Sequence, residues 1–170
     1  VSLEHKMGIH GSPTCVMQFD SSKGWLVGKK EGGMAAMFTM MNNARMGVGG
    51  QGIGVADAAY QHALAYAQER KQGKTPENAE GTIIGHADVR RMLATMKADI
   101  FAARAIAVSN AVAIDMATAT GDKAWKARAA LLTLITKAFG TDTGVAVAEM
   151  GVQSHGGMGF IEETGAAQFS

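Results

Sequence analysis

GVGGQGIG, residues Gly47 to Gly54, carries the spacing G-x-G-x-x-G at Gly47, Gly49 and Gly52. A turn that cradles a dinucleotide pyrophosphate uses this spacing. It needs a strand before it and a helix after it, because the first glycine turns the chain and the helix N-terminus receives the phosphates. Here the preceding FTMMNNARM has helical periodicity itself. The acidic residue wanted about 20 positions on finds only Glu69, inside the same periodicity as Tyr60 and Tyr66. The stretch therefore reads as the interior of a helix. Each glycine there costs about 1 kcal/mol relative to alanine, so packing must compensate. Gly47, Gly50 and Gly54 fall on one face, where another backbone or a flat ligand is expected to come close.

Working outward, apolar or small residues recur near helical spacing at Met37, Met41, Ala44, Val48, Gly52, Val55, Ala59, Ala63 and Tyr66. One long helix from about residue 32 to 71 follows. QGKTPENAEGT is a loop, and Val89, Met92, Met96, Ile100, Ala103, Ala107, Ala111 and Ile114 then predict a second helix over 87–120, stopped at Gly121. Asp122 is the expected N-cap of a third, with Trp125, Ala129, Leu132, Ile135 and Phe139 on one face and Val145, Ala148 and Val152 continuing it. The pattern leaves open whether that helix bends at Gly140 or Gly144. Long apolar helices joined by short polar loops must bury their stripes on one another, so the fold class is all-α, an antiparallel up-and-down four-helix-bundle type with its last member expected outside this chain.

Before the helices, PTCVMQF and GWLVG read as two strands around the turn Asp20-Ser21-Ser22. The lone Cys15 is expected to be a small buried or half-buried strand residue, and one cysteine excludes an intrachain disulfide or a cysteine-rich zinc site. The net charge of +1 excludes a broad field for nucleic acid or anionic membranes. The five histidines are scattered, so no metal ligand set is expected. The 12 methionines, Met34, Met37, Met40 and Met41 among them, read as core filler, with some at a subunit interface. Without a run the length of a spanning helix or a signal-peptide pattern, a soluble, cytoplasmic protein is the expectation. The valine start and the stop at GAAQFS fit a piece of a longer chain.

The run MMNNARMGVGGQGIGVADAAYQHALAYAQERKQG resembles the first long helix of the C-terminal domain of acyl-CoA dehydrogenases. QSHGGMGFIEE, Gln153 to Glu163, is similar to that family's C-terminal signature, and KMGIHGSPTCVMQFD to the end of its middle β-domain. The resemblance implies residues 1–31 as the end of that β-domain and 32–170 as the helical bundle. It also implies a dimer or tetramer, FAD shared between subunits, an acyl-CoA substrate and an acceptor such as an electron-transfer flavoprotein. Arg70 matches the arginine that reaches the neighbouring subunit's flavin pyrophosphate, and Gln153, Gly156 and Gly157 match the glutamine and glycine pair near the ADP part.

The implied reaction is α,β-dehydrogenation of an acyl-CoA thioester. The glutamate that takes the α-proton is expected beyond residue 170; where a few members carry it earlier, this sequence has Ala44. No residue of this chain is thus assigned a catalytic role, and the piece alone is expected to be inactive. Gln72 stands where many members have a hydroxyl residue, and Gln168 where they have a basic one. The residues by themselves also allow plainer readings: Arg70 as a helix-end arginine complementing the macrodipole, Gly156-Gly157 as a helix stop, and Glu162 and Glu163 as structural acids. A non-enzymatic helical assembly module and a related flavin-dependent acyl-CoA oxidase stay open as alternatives.

Overall fold

Three long helices carry the architecture: α1 (Gly33–Glu69), α2 (Ala87–Thr120) and α3 (Lys123–Ser154). They are followed by 3-10 turns at Gly156–Phe160, Glu162–Thr164 and Ala166–Phe169. The computed structural model describes residues 2–170, which divide into two compact units between residues 37 and 38.

Within the second unit the helices run up, down and up. Asn110 of α2 meets Met46 of α1 and Thr136 of α3, and Arg104 of α2 reaches Asp57 of α1 at 3.1 Å. Gly49 lies against Thr136, Gly52 against Gly140, and Gly151 against Ala59, so α1 and α3 ascend together. The α2 to α3 connection is two residues long. Gly121 takes the left-handed conformation (φ 68°) and its N–H caps the Ala117 carbonyl, while the Asp122 carboxylate accepts the Ala124 N–H at 2.8 Å. A C′ glycine followed at once by an aspartate N-cap is what a tight reversal between antiparallel helices requires.

The glycine-rich stretch is helical throughout, and α3 continues unbroken through Gly140 and Gly144. The face that meets a neighbour is not the expected one. Gly47, Gly50 and Gly54 look into open space, whereas Gly49 and Gly52 lie in backbone contact with α3. A Cβ added at Gly49 would stand 2.7 Å from the Thr136 carbonyl oxygen, and one at Gly52 would collide with the Gly140 carbonyl. A helical wheel groups residues by angle without telling which angle faces a partner, and here the deciding partners are the glycines and threonines of α3.

The same seam corrects part of the expected core face of α3, where Ala129 and Ala148 are buried as expected but Ile135, Phe139 and Val145 are not. Its buried side is Thr133, Thr136, Gly140, Thr143, Gly144 and Val147, while Leu131, Leu134, Ile135 and Phe139 point outward. Small residues win the interior because only they let two helix backbones touch. The main apolar core lies beyond the seam, where Ala56, Ala59, Ala63 and Ala67 meet Leu93, Met96, Ile100 and Val147. Met34, Met37, Met40 and Met41 are exposed, so the core-filler expectation fails for them, and Met96 alone of the methionines is fully buried. By length and composition α2 could cross a membrane, which the sequence reading overlooked, but one side of it packs into this core.

One buried polar layer interrupts the apolar packing. Asn110 is fully buried and donates from its amide to Thr136 Oγ1 at 3.2 Å and Thr133 Oγ1 at 3.4 Å, while Thr133 donates to the Ala129 carbonyl at 2.8 Å. Asn110→Ala leaves two hydroxyls short of a partner and a cavity, so a loss of about 2–4 kcal/mol is expected in denaturant unfolding. An unchanged midpoint would mean that the layer is not a net contributor.

In the first unit, Ser2–Leu3 pairs antiparallel with Cys15–Val16. Cys15 is therefore a strand residue, but it is exposed instead of buried. GWLVG forms no strand, and Trp25, Leu26 and Val27 are all exposed. An apolar run becomes a strand only where an edge accepts its hydrogen bonds, and none is offered to it.

Candidate functional site

At the end of α1 the helix stops on Arg70, whose N–H donates to the Tyr66 carbonyl at 2.8 Å. The chain then leaves and returns. Gln72 N–H donates to the Gly81 carbonyl and Ile83 N–H to the Arg70 carbonyl, both at 2.8 Å. Thr75 and Asn78 close the tip, and a Cβ at Gly85 would be 2.7 Å from Asn78, so the loop is packed down and fixed. His86 ties the return strand of chain to its start by donating from Nε2 to the Gln72 carbonyl at 2.8 Å.

The opposite wall is the end of α3. After Ser154 the chain turns through Gly156 (φ 59°), a left-handed conformation that favours glycine. Gly159 is pressed so closely on the Val152 carbonyl that no side chain fits there. Gly156 and Gly157, by contrast, have open space where a Cβ would stand, and both are exposed.

Between the walls lies a cleft of about 580 Å³, within the range of small-molecule and cofactor sites. Arg70, Gln153, Gly156 and Gly157, the four residues singled out in the sequence, all line it. Two separate parts of the chain, the end of α1 and the end of α3 with the turn after it, bring them together. Tyr66, Ile83, His86, Val89 and His155 line it too and were not foreseen. Periodicity marked Tyr66 and Val89 as helix face only, and no local signal joins His86 or His155 to Arg70.

Electrostatically the cleft is lopsided. Two helix C-termini, of α1 and α3, bring carbonyl ends toward it, and Arg70 is the permanently charged side chain on its wall. Its guanidinium has no ion-pair or hydrogen-bond partner among the described residues. Such a group can grip two oxygens of an anion at once.

Under the cleft His155 is buried. Its Nδ1–H donates to the Gly151 carbonyl at 2.7 Å, and its ring stacks on Tyr66 (centroids 4.2 Å apart) and on His62 (5.0 Å). Burial holds its pKa below the usual histidine range, against the Gly151 hydrogen bond, which raises it; His62 lowers it further.

A second cleft of about 790 Å³ sits at the other end of the bundle, lined by Phe38, Asn42, Arg45, Met46, Lys126 and Thr133 among others. Arg45 there donates to the Asn42 side-chain carbonyl at 2.9 Å. The two clefts have no lining residue in common.

Comparison with known proteins places this architecture. Residues 31–170 match the family model for the acyl-CoA dehydrogenase C-terminal domain. The chain is 46% identical over 175 residues to 3-methylmercaptopropionyl-CoA dehydrogenase of Ruegeria pomeroyi, covering 99% of this chain and 30% of that protein. It is 38% identical to a butyryl-CoA dehydrogenase of Syntrophomonas wolfei, covering 95% of this chain and 29% of the relative. Among solved structures, butyryl-CoA dehydrogenase from Megasphaera elsdenii superposes with a TM-score of 0.69 at 25% identity, over 84% of this chain and 33% of that one. The chain thus spans about a third of the length of the relatives it matches, and it belongs to the acyl-CoA dehydrogenase family.

Proposed function

We propose that this chain is the C-terminal helical part of an FAD-dependent acyl-CoA dehydrogenase and that the cleft between the ends of α1 and α3 receives the diphosphate and ADP part of a flavin. The observation that carries this reading is the meeting of Arg70, Gln153, Gly156 and Gly157 around one cleft. Each fits the group chemically. The guanidinium suits two phosphate oxygens, the Gln153 amide can donate and accept, and the side-chain-free Gly156 and Gly157 let backbone N–H groups approach a ligand.

When bound, the flavin supplies an acceptor for the β-hydride of an acyl-CoA thioester. The contribution of this chain is to hold and orient it. The glutamate that removes the α-proton lies beyond residue 170 on this reading, and the exposed apolar side chains Phe101, Leu131, Leu134 and Val145 are the surface through which copies associate. An electron-transfer flavoprotein serves as the acceptor, in the cytoplasm. The names of the two relatives make short acyl chains, butyryl and 3-methylmercaptopropionyl, the first substrates to try.

The test is the visible absorbance of the protein at the full length of its relatives, recorded without air before and after adding a panel of acyl-CoA esters. A flavin band that bleaches with one or more members is expected. Folded protein with no flavin band would overturn the reading, and bleaching that recovers rapidly with dioxygen alone would turn it toward an oxidase.

A further inference from the structure

The segment after α3, residues 156–169, forms no long helix, yet it builds one wall of the cleft. It is attached to α1 through Phe169 and Thr164, and the rings continue to His155, the residue at which the segment leaves α3. Phe169 lies against His62 (centroids 5.7 Å), His62 stacks on His155 (5.0 Å, 18° between planes), and His155 stacks on Tyr66 (4.2 Å, 27°). His62 also donates from Nε2 to the Thr164 carbonyl at 2.8 Å.

We propose that this column, Phe169–His62–His155–Tyr66, is a proton-sensitive latch that closes segment 156–169, and with it the Gly156–Gly157 wall, onto α1. The geometry fixes which proton matters. Carbonyls only accept, so the bond to Gly151 places the His155 proton on Nδ1 and leaves Nε2 bare. That Nε2 is buried without any hydrogen-bond partner. A second proton there would create a buried donor with no acceptor and a cation stacked beside another imidazole, a costly arrangement that opening the segment to water relieves.

The titratable groups facing His155 are His62 and Tyr66 on α1; Arg70 and, before α2, His86 line the same cleft. Segment 156–169 presents Phe169 and the Thr164 carbonyl to His62, and no carboxylate contributes to the titration of His155. Nothing nearby therefore compensates the charge.

The sign follows from burial, which lowers the His155 pKa in the closed form. An opened segment has its imidazole in water and takes up a proton below about pH 6.5. Closure is thus fully favoured above about pH 6.5 and weakens as pH falls through the lower closed-state value. One proton per opening limits the effect to about tenfold for each pH unit below 6.5.

The test is hydrogen exchange of the 156–169 amides in the full-length protein at pH 7.5 and 5.5, corrected for the intrinsic exchange rate. Protection is expected to drop several-fold, and at most about tenfold, on acidification. In His155→Phe, which keeps the stacking and removes the titration, it should stay level. Equal protection at both pH values in the native protein overturns the latch, as does an equal acid loss in the phenylalanine variant. Should that variant not fold, a His155 ring titration by NMR in the native protein serves, and a midpoint at or above 6.5 overturns the proposal.

On the function proposed above, opening the Gly156–Gly157 wall at pH 5.5 should loosen flavin; that consequence rests on the proposed function, and the latch does not. Protection that falls while flavin retention stays constant supports the latch and counts against the cofactor reading alone.

Discussion

Replacing Gly52 with valine is expected to unfold the helical domain or bring it to the edge of unfolding. A Cβ at Gly52 would collide with the Gly140 carbonyl and come within 2.9 Å of Thr141 Cα, all backbone atoms that cannot rotate away. Ordinary overpacking of side chains costs about 1–3 kcal/mol. Here the only relief is to separate α1 from α3, which also breaks the contacts of Gly49 with Thr136 and of Gly144 with Gly52. A loss above about 4 kcal/mol is therefore expected, a large part of the roughly 5–15 kcal/mol that holds a domain together. Gly50→Val is the control, because nothing stands within 4 Å of its added Cβ. Far-UV circular dichroism during heating compares the two. Midpoints within a few degrees of each other would refute the backbone seam.

Arg70→Ala is expected to release flavin from an otherwise intact protein. Hydrogen bonds to charged groups contribute about 1.5–3 kcal/mol each, so losing a two-pronged grip on phosphate should weaken binding by at least about tenfold and up to several hundredfold. The fold should be indifferent, since the guanidinium has no partner among the described residues and the backbone bonds of Arg70 to Tyr66 and Ile83 remain. Arg70→Lys should recover part of the affinity, keeping the charge but not the planar fork. The ratio of flavin to protein absorbance after gel filtration measures this. A folded alanine variant with its full complement of flavin would remove Arg70 from the site and leave it a helix-end charge.

The helices were legible because their ends carry chemistry. Gly121 and Asp122 mark a stop and a start that local rules can read, and α2 runs over the predicted 87–120. Resemblance named Arg70, Gln153, Gly156 and Gly157 as separate positions, and the cleft that they share needed the fold: Arg70 and Gln153 are distant in sequence and meet only when α1 and α3 lie side by side. What the sequence hid was orientation. Gly49 and Gly52 differ from Gly47 and Gly50 only in the direction they face, and Ile135 and Phe139 look like core until Thr133 and Thr136 take that place. GWLVG was misread because strand pairing depends on a partner that lies outside the run itself. His62 and His155 show no relation in sequence, and only packing stacks them.

Arg45 and Arg70 stand at the two clefts on a single helix, and at about 1.5 Å per residue their separation along it is roughly 38 Å. Between them α1 is riveted to α3 by the Gly49, Gly52, Gly140 and Gly144 contacts. Two rods packed backbone to backbone resist sliding, because the close contacts leave no room for the larger residues on either side of the glycines to take their place. The pair acts as a stiff beam with a cleft at each end. The glycines, by being the smallest residues, are the source of the stiffness.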